Sequence, residues 1–128
     1  MQLVLAIYEK FLTTNNKEIY YQPLQIMVID SELLPEDKLK EIRTLITIAA
    51  KKHDAHIVLS QFTYAEMDCI LEVDIAISSE DKVNCTYALN FLRDSISALF
   101  PYAELLTKPN EQSLQGVKRD WNFYCLNP

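Results

Sequence analysis

Glycine is almost missing from this sequence. The 128 residues contain one glycine, Gly116, whereas average usage of about 7% would give about nine. Glycine supplies the positive φ angles and the close backbone approach that phosphate-binding loops need. The sequence therefore argues against a nucleotide-binding loop, a dinucleotide fingerprint and an acylphosphatase-type phosphate loop.

Cysteine is scarce and unpaired in its spacing. An odd number of cysteines (Cys69, Cys85 and Cys125), with no secretory leader ahead of them, favours free thiols in a reducing compartment, so we expect a cytoplasmic protein. Cys69 and Cys85 fall on predicted buried faces, where a cysteine acts as a small hydrophobic residue. We expect no nucleophilic cysteine and no catalytic activity.

Histidine occurs only at His53 and His56. Two histidines this close could share a zinc ion, but a zinc site would need two more ligands, for which Cys69 and Cys85 are the soft candidates. The alternative is a histidine at a helix end followed by a surface histidine on a strand, and we favour it. We therefore expect no metal and no cofactor, while metal binding by the two histidines stays open.

Long apolar runs and positive net charge are also missing. No run approaches the roughly 18 apolar residues of a membrane span, and the net charge of −6 disfavours nucleic acids and anionic membranes. The segment Lys118–Tyr124 mixes cations with aromatic residues, as single-strand binders do. RNA-binding modules, however, carry basic and aromatic residues on a strand where this chain carries Glu72 and Asp74. We therefore predict no nucleic-acid or membrane partner.

The most informative segment that is present is Met67–Ile77. Side chains alternate between the two faces of a strand, and here every odd position is apolar. The segment therefore predicts a strand with one apolar face and one acidic face. The acidic face carries four carboxylates, spaced by about 7 Å or its multiples: Glu66, Asp68, Glu72 and Asp74.

The remaining chain predicts a single α+β domain over residues 1–128. From residue 24 the element order is β-α-β-β-α-β, which is that of the ferredoxin-like sandwich, with two helices on one face of an antiparallel sheet. We also predict an N-terminal segment, with a preference for helix over strand, and an extra C-terminal strand. The predicted elements are Gln2–Leu12, Leu24–Ile29 within the strand Ile19–Asp30, helix Pro35–His53, strand Ala55–Thr63, strand Met67–Ile77, a helix capped by Ser78 or Ser79 and ending at Phe100, strand Tyr102–Thr107, loop Lys108–Gly116 and strand Val117–Leu126.

Three interpretations of the acidic face compete. It is a solvated outer face, an interface for a basic protein beside apolar residues of the neighbouring strand (Met27 and Ile29, or Ile26 and Val28), or a site for a hard cation. The function hypothesis follows the second. We expect a small protein-binding protein, in its most concrete form an immunity or antitoxin-type inhibitor that neutralises a basic, nuclease-like toxin. The alternative is a regulatory or sensor domain of the same fold that forms a homodimer and binds a small molecule.

Overall fold

The computed structural model describes residues 9–29, 35–65, 69–107 and 111–126. Five strands and three helices follow one another in these ranges. They are β1 (Glu9–Leu12), β2 (Glu18–Ile29), α1 (Pro35–Lys52), β3 (His56–Ala65), β4 (Ile70–Ser79), α2 (Lys82–Leu99), β5 (Glu104–Leu106) and α3 (Glu111–Leu126).

The sheet confirms the ferredoxin-like arrangement. Its strands are all antiparallel in the order β1-β2-β4-β3, and β5 pairs with β2 on the same side as β1. Without β1, the order β5-β2-β4-β3 is that of the β-α-β-β-α-β motif, in which the first and third motif strands are central. The motif accounts for all described elements except β1 and α3.

Alternation along β4 determines which face meets the helices. Leu71, Val73, Ile75 and Ile77 are buried in the main core with residues of α1 and α2. Ile42, Ile46 and Ala49 of α1 and five residues of α2 face them, at the helical spacing that the sequence indicates. The five α2 residues are Cys85, Ala88, Leu89, Leu92 and Ile96.

Helix α2 starts later than predicted, since its N-cap lies two residues after Ser79 and three after Ser78. Asp81 is the N-cap, and its carboxylate accepts a hydrogen bond of 2.9 Å from the backbone N–H of Val83. Ser79, one of the two predicted caps, instead accepts a bond from the backbone N–H of Asp81, because β4 continues to Ser79. The cap residue is thus an aspartate that the sequence places in the first turn.

Strand β2 runs without a break through Pro23. Its Glu18–Tyr21 part pairs with β1 and its Gln25–Met27 part pairs with β5. Pro23 lies between the two pairings, so on this edge no partner strand requires the N–H group that proline lacks. The strand is therefore continuous through Pro23, and the break lies between its neighbours β1 and β5.

The C-terminal segment is a helix, and the predicted strand Val117–Leu126 is wrong. Helix α3 packs on the sheet face opposite α1 and α2, where Val117 forms a second, smaller core with Tyr21 and Ala76. Leu114, Val117 and Trp121 lie on one side of α3 at intervals of three and four residues. The predicted loop Lys108–Gly116 is helical from Glu111 onward.

Gly116 lies where α3 approaches the sheet most closely. A Cβ atom at this position would be 3.1 Å from Cγ1 of Val58 on β3, which is tighter than ordinary van der Waals contact. The single glycine thus serves helix-to-sheet packing and not a loop.

The N-terminal segment is a strand where it is described. Residues 9–12 form β1 and extend the sheet, so the preference for helix is wrong there. Residues 2–8 of the predicted segment lie outside the described residues. No helix in the described part of the chain is long and apolar enough to cross a membrane.

Candidate functional site: the sheet face opposite helices α1 and α2

Two of the four predicted site carboxylates can be located. Glu72 and Asp74 lie on β4 and point away from α1 and α2, since their neighbours Leu71 and Val73 are in the main core. Glu66 and Asp68 lie outside the described residues. Glu72 is opposite Met27 of β2, and the predicted choice between two pairs of apolar neighbours is thereby settled in favour of Met27 and Ile29.

Asp74 is buried, with 8% of its surface exposed. Its carboxylate accepts a hydrogen bond of 2.7 Å from Nε2 of Gln61 and one of 3.4 Å from Nε2 of Gln25. A β-bulge at Ser60 brings Gln61 opposite Asp74. The hydroxyl of Ser60 donates to the backbone carbonyl of Asp74 and contacts Oγ of Ser113 at 2.6 Å. Asp74 therefore contributes its charge to this face but little contact area.

Glu72 is more accessible and has apolar neighbours. It is half-buried and accepts a bond of 3.5 Å from Nε2 of Gln25. Strand β5 adds Glu104 opposite Met27 and Leu106 opposite Gln25, and residues directly opposite in a sheet share a face. We call the group Met27, Ile29, Glu72, Glu104 and Leu106 the acidic patch.

The acidic patch combines two carboxylates with exposed apolar groups. Glu104 is exposed, and Ile29 and Leu106 are 44% and 38% exposed. Sequence reasoning missed Glu104, because only the pairing of β5 with β2, about 80 residues apart, places it beside Met27. A protein interface combines an apolar centre with a polar rim, and this part of the sheet offers both kinds of side chain.

Helix α3 covers the other half of this face. Nε1 of Trp121 donates a hydrogen bond of 2.8 Å to Oγ of Ser78, and Nε2 of His56 lies 2.9 Å from Oδ2 of Asp120. The predicted open face is therefore covered as far as the first turn of α3, where Ser113 contacts Ser60. Beyond this contact lie Gln61 and Glu72, on a part of the face that no helix of the described residues covers.

The two histidines contact different helices. His53 packs against Tyr87 and Phe91 of α2, whereas His56 contacts Asp120, Trp121 and Tyr124 of α3. The ring of each histidine is thus directed to a different side of the sheet. Within residues 9–29, 35–65, 69–107 and 111–126 no cluster of three or more His, Cys, Asp or Glu side chains could hold a metal ion.

The cysteines differ in their surroundings. Cys85 is buried, and its thiol donates to the backbone carbonyl of Tyr20 at 3.7 Å. Burial, and to a lesser extent the charge of Asp81, raises the pKa of the Cys85 thiol to about 12. Cys69 is not on the buried strand face as predicted but in a turn before β4, with φ 53°. The side chain of Cys125 lies outside the described residues.

The raised pKa of Cys85 makes stability depend on alkaline pH. The thiol ionises near 9.0 without the fold and near 12 within it, so the contribution to stability is complete below about pH 9 and is lost as the pH rises towards 12. In this window we expect the free energy of unfolding to fall by about 1.4 kcal/mol per pH unit from this group. Urea unfolding of the native chain and of Cys85→Ala at several alkaline pH values measures the difference in slope. If the free energy of unfolding fell equally with pH in both proteins, the pH dependence would not come from Cys85.

Comparisons with known proteins give the fold and no function. No protein-family model matches the sequence, and no curated protein matches it. A de novo designed protein, Foldit4, is similar over 68% of this chain and 90% of its own, with a TM-score of 0.55 and 15% identity.

Two amidases of the hydantoinase/carbamoylase family contain a similar fold. The one from Burkholderia ambifaria matches 71% of this chain with a TM-score of 0.57, and the one from Burkholderia phymatum matches 72% with a TM-score of 0.57. Each is 10% identical to this chain, and the match spans 28% of the amidase. At these identities the similarity supports the α+β sandwich alone.

Proposed function

We propose that this protein binds another protein and that the partner surface is basic. The observation that carries the proposal is the acidic patch on a part of the sheet that no described helix covers. Glu72 and Glu104 lie on either side of Met27, and Ile29 follows two residues further along β2. Apolar side chains in the middle would supply the area that a partner buries, and the carboxylates would supply selectivity for cations.

The net charge of the whole chain also favours a basic partner. A net charge of −6 attracts a cationic protein before contact and raises the association rate, while it repels nucleic acids. Asp74, buried beside the patch, adds to the local field although it offers little contact area. The partner would therefore be captured rapidly at low ionic strength.

The concrete form we propose is an immunity or antitoxin-type inhibitor of a nuclease-like toxin. A nuclease surface is cationic because it binds phosphates, so a compact acidic surface can occupy the place of the nucleic acid. The carboxylates of the patch would pair with lysine and arginine side chains of such a surface. In this proposal inhibition is by occupation of the site, without catalysis by the inhibitor.

The double variant Glu72→Gln plus Glu104→Gln tests the patch. The partner is first captured from the native host on the tagged chain and identified by mass spectrometry, and binding is then titrated at several salt concentrations. We expect the double variant to weaken binding by about 10-fold or more, mainly through slower association, because it removes two charges and almost no volume.

Glu41→Gln is the matched control, since Glu41 is an exposed carboxylate on α1, away from the patch. It should change the affinity by less than about twofold. A binding affinity that is independent of salt would contradict the proposal. It would also be contradicted if Glu41→Gln weakened binding as much as the double variant does.

A further inference from the structure

We propose that the protein forms a homodimer in which strand β3 of one copy pairs antiparallel with β3 of a second copy. The sheet would then continue across a two-fold axis perpendicular to it. The inference concerns a different surface from the acidic patch and does not depend on the proposed function.

The two edges of the sheet differ in how they are protected. On the β2 side the edge consists of two short strands, four residues with Glu9 and Lys10 in β1 and three residues with Glu104 in β5. Short, charged edge strands resist pairing with another chain. Strand β3 has ten residues (HIVLSQFTYA) without lysine, arginine, aspartate, glutamate or proline. Across the described residues no strand pairs with its outer edge.

The composition of β3 suits pairing with itself. When two β3 strands pair across a two-fold axis, each side chain lies opposite a side chain from β3 of the other copy. Like charges directly opposite each other would destabilise such a pair. Because β3 has no permanently charged side chain, no register places like charges opposite each other. The single irregularity is the bulge at Ser60, whose hydroxyl is bound to Asp74 and Ser113 on the α3 face.

A groove along the β3 edge provides the apolar contact. It lies between α1 and β3, has a volume of about 590 Å³, and its apolar lining includes Leu39, Tyr64 and Leu71. Phe62 forms part of the wall and is 48% exposed, although it lies on the face that packs against α1 and α2. An exposed aromatic side chain beside an apolar groove is the arrangement that a second copy would bury.

The position of α1 fits the two-fold arrangement. Helix α1 lies over β3 and β4. In the dimer the two α1 helices would be separated by two strand spacings of about 4.8 Å each. They would therefore lie about 10 Å apart, which is a normal distance between packed helices. The groove would then become a helix-to-helix contact above the paired β3 strands.

Charges on α1 agree with an antiparallel pair of these helices. Along the groove α1 presents Glu36 in its first turn and Lys40 and Arg43 further on. This side of α1 is therefore negative in its first turn and positive one to two turns further on. An antiparallel copy directs the negative end of each helix towards the positive part of the other.

The area of this edge is sufficient for a specific dimer. Ten residues extend over about 33 Å, and one sheet layer with one helix layer is about 20 Å high. The footprint is then about 650 Å² per copy, close to the roughly 800 Å² per partner of a standard interface.

Sedimentation equilibrium of the full chain tests the proposal. At a protein concentration of about 100 µM we expect a mass of twice 14.8 kDa. Phe62→Lys places a charge on the edge and should raise the dimer dissociation constant by about 10- to 100-fold. Thr63→Lys, at an exposed position on the other face of the same edge, should act in the same direction even if Phe62→Lys disturbs the core.

Leu12→Lys is the control, since Leu12 is an exposed apolar residue on the opposite edge strand β1. It should leave the dimer intact, and far-UV circular dichroism should show that all three variants are folded. A native chain that is monomeric at about 100 µM would overturn the inference. So would a dimer that is lost in Leu12→Lys and kept in Phe62→Lys.

Salt separates this inference from the proposed function. Two copies with a net charge of −6 each repel one another, and salt screens this repulsion as well as the attraction between the α1 helices, so added salt should have little net effect on the dimer. The complex with a basic partner should weaken with salt. A dimer that dissociates steeply as salt is added would contradict pairing through the uncharged β3 edge.

Discussion

Replacement of Gly116 by leucine is expected to detach helix α3 from the sheet and to lower the free energy of unfolding by about 3 kcal/mol. The Cβ atom alone would be 3.1 Å from Cγ1 of Val58, so we expect the larger leucine side chain to push α3 away from β3. As α3 moves away, the contact of Val117 with Tyr21 and Ala76 is lost.

Trp121 reports this change directly. It is the only tryptophan of the chain, and its Nε1 is hydrogen-bonded to Ser78 of β4. In Gly116→Leu we expect a red-shifted emission spectrum and easier quenching by acrylamide, together with a lower urea midpoint. An unchanged Trp121 spectrum in a stable variant would contradict the close contact at Gly116.

Two substitutions on the same helix serve as controls for Gly116→Leu. Gly116→Ala should change stability by less than about 1 kcal/mol, because the gain in helix propensity opposes the tight contact with Val58. Gln115→Leu places the same leucine side chain at an exposed neighbouring position and should leave the Trp121 emission unchanged. The pattern across the three variants distinguishes the contact at residue 116 from a general effect on α3.

Ile75→Ala is expected to lower the free energy of unfolding by about 3–4 kcal/mol. Ile75 is fully buried on central strand β4, between Leu24 of β2 and Leu59 of β3, under α1 and α2. The substitution removes apolar burial and leaves a cavity where the rigid sheet cannot close. Urea unfolding should show a lower midpoint with a similar m-value.

Ile48→Ala is the matched control for Ile75→Ala. Ile48 is exposed on α1, so the same side-chain truncation should cost less than about 1 kcal/mol. If the two variants were equally destabilised, β4 would not be the centre of the core.

The elements with clear periodicity could be predicted from the sequence. Alternation over Met67–Ile77 indicates a central strand with its odd residues in the core, and Leu71, Val73, Ile75 and Ile77 are there. The helical spacing in α1 and α2 also indicates the correct faces. These segments are predictable because the same side-chain pattern that favours the local structure also forms the core.

The C-terminal helix could not be recognised in the same way. Trp121, Phe123 and Cys125 alternate as on a strand, and this pattern outweighs the weaker helical set of Leu114, Val117 and Trp121. Phe123 is in fact exposed, so its alternation with Trp121 does not reflect burial. A glycine within a helix also counts against helix until the close contact with β3 is known.

The candidate site was only partly predictable for a related reason. Alternation along β4 is a local property, and it places Glu72 and Asp74 on the face opposite α1 and α2. The burial of Asp74 and the proximity of Glu104 depend on a β-bulge at Ser60 and on the pairing of β5 with β2. Both features are set by contacts between distant parts of the chain and have no local signature in the sequence.

The proline in β2 has a consequence for how the sheet can open. Since β1 and β5 share one flank of β2 on either side of Pro23, they have no ladder bond in common and need not separate together. Separation of β1 from β2 therefore leaves β5 paired with β2. The proline divides one flank of the sheet into two independent units of local unfolding.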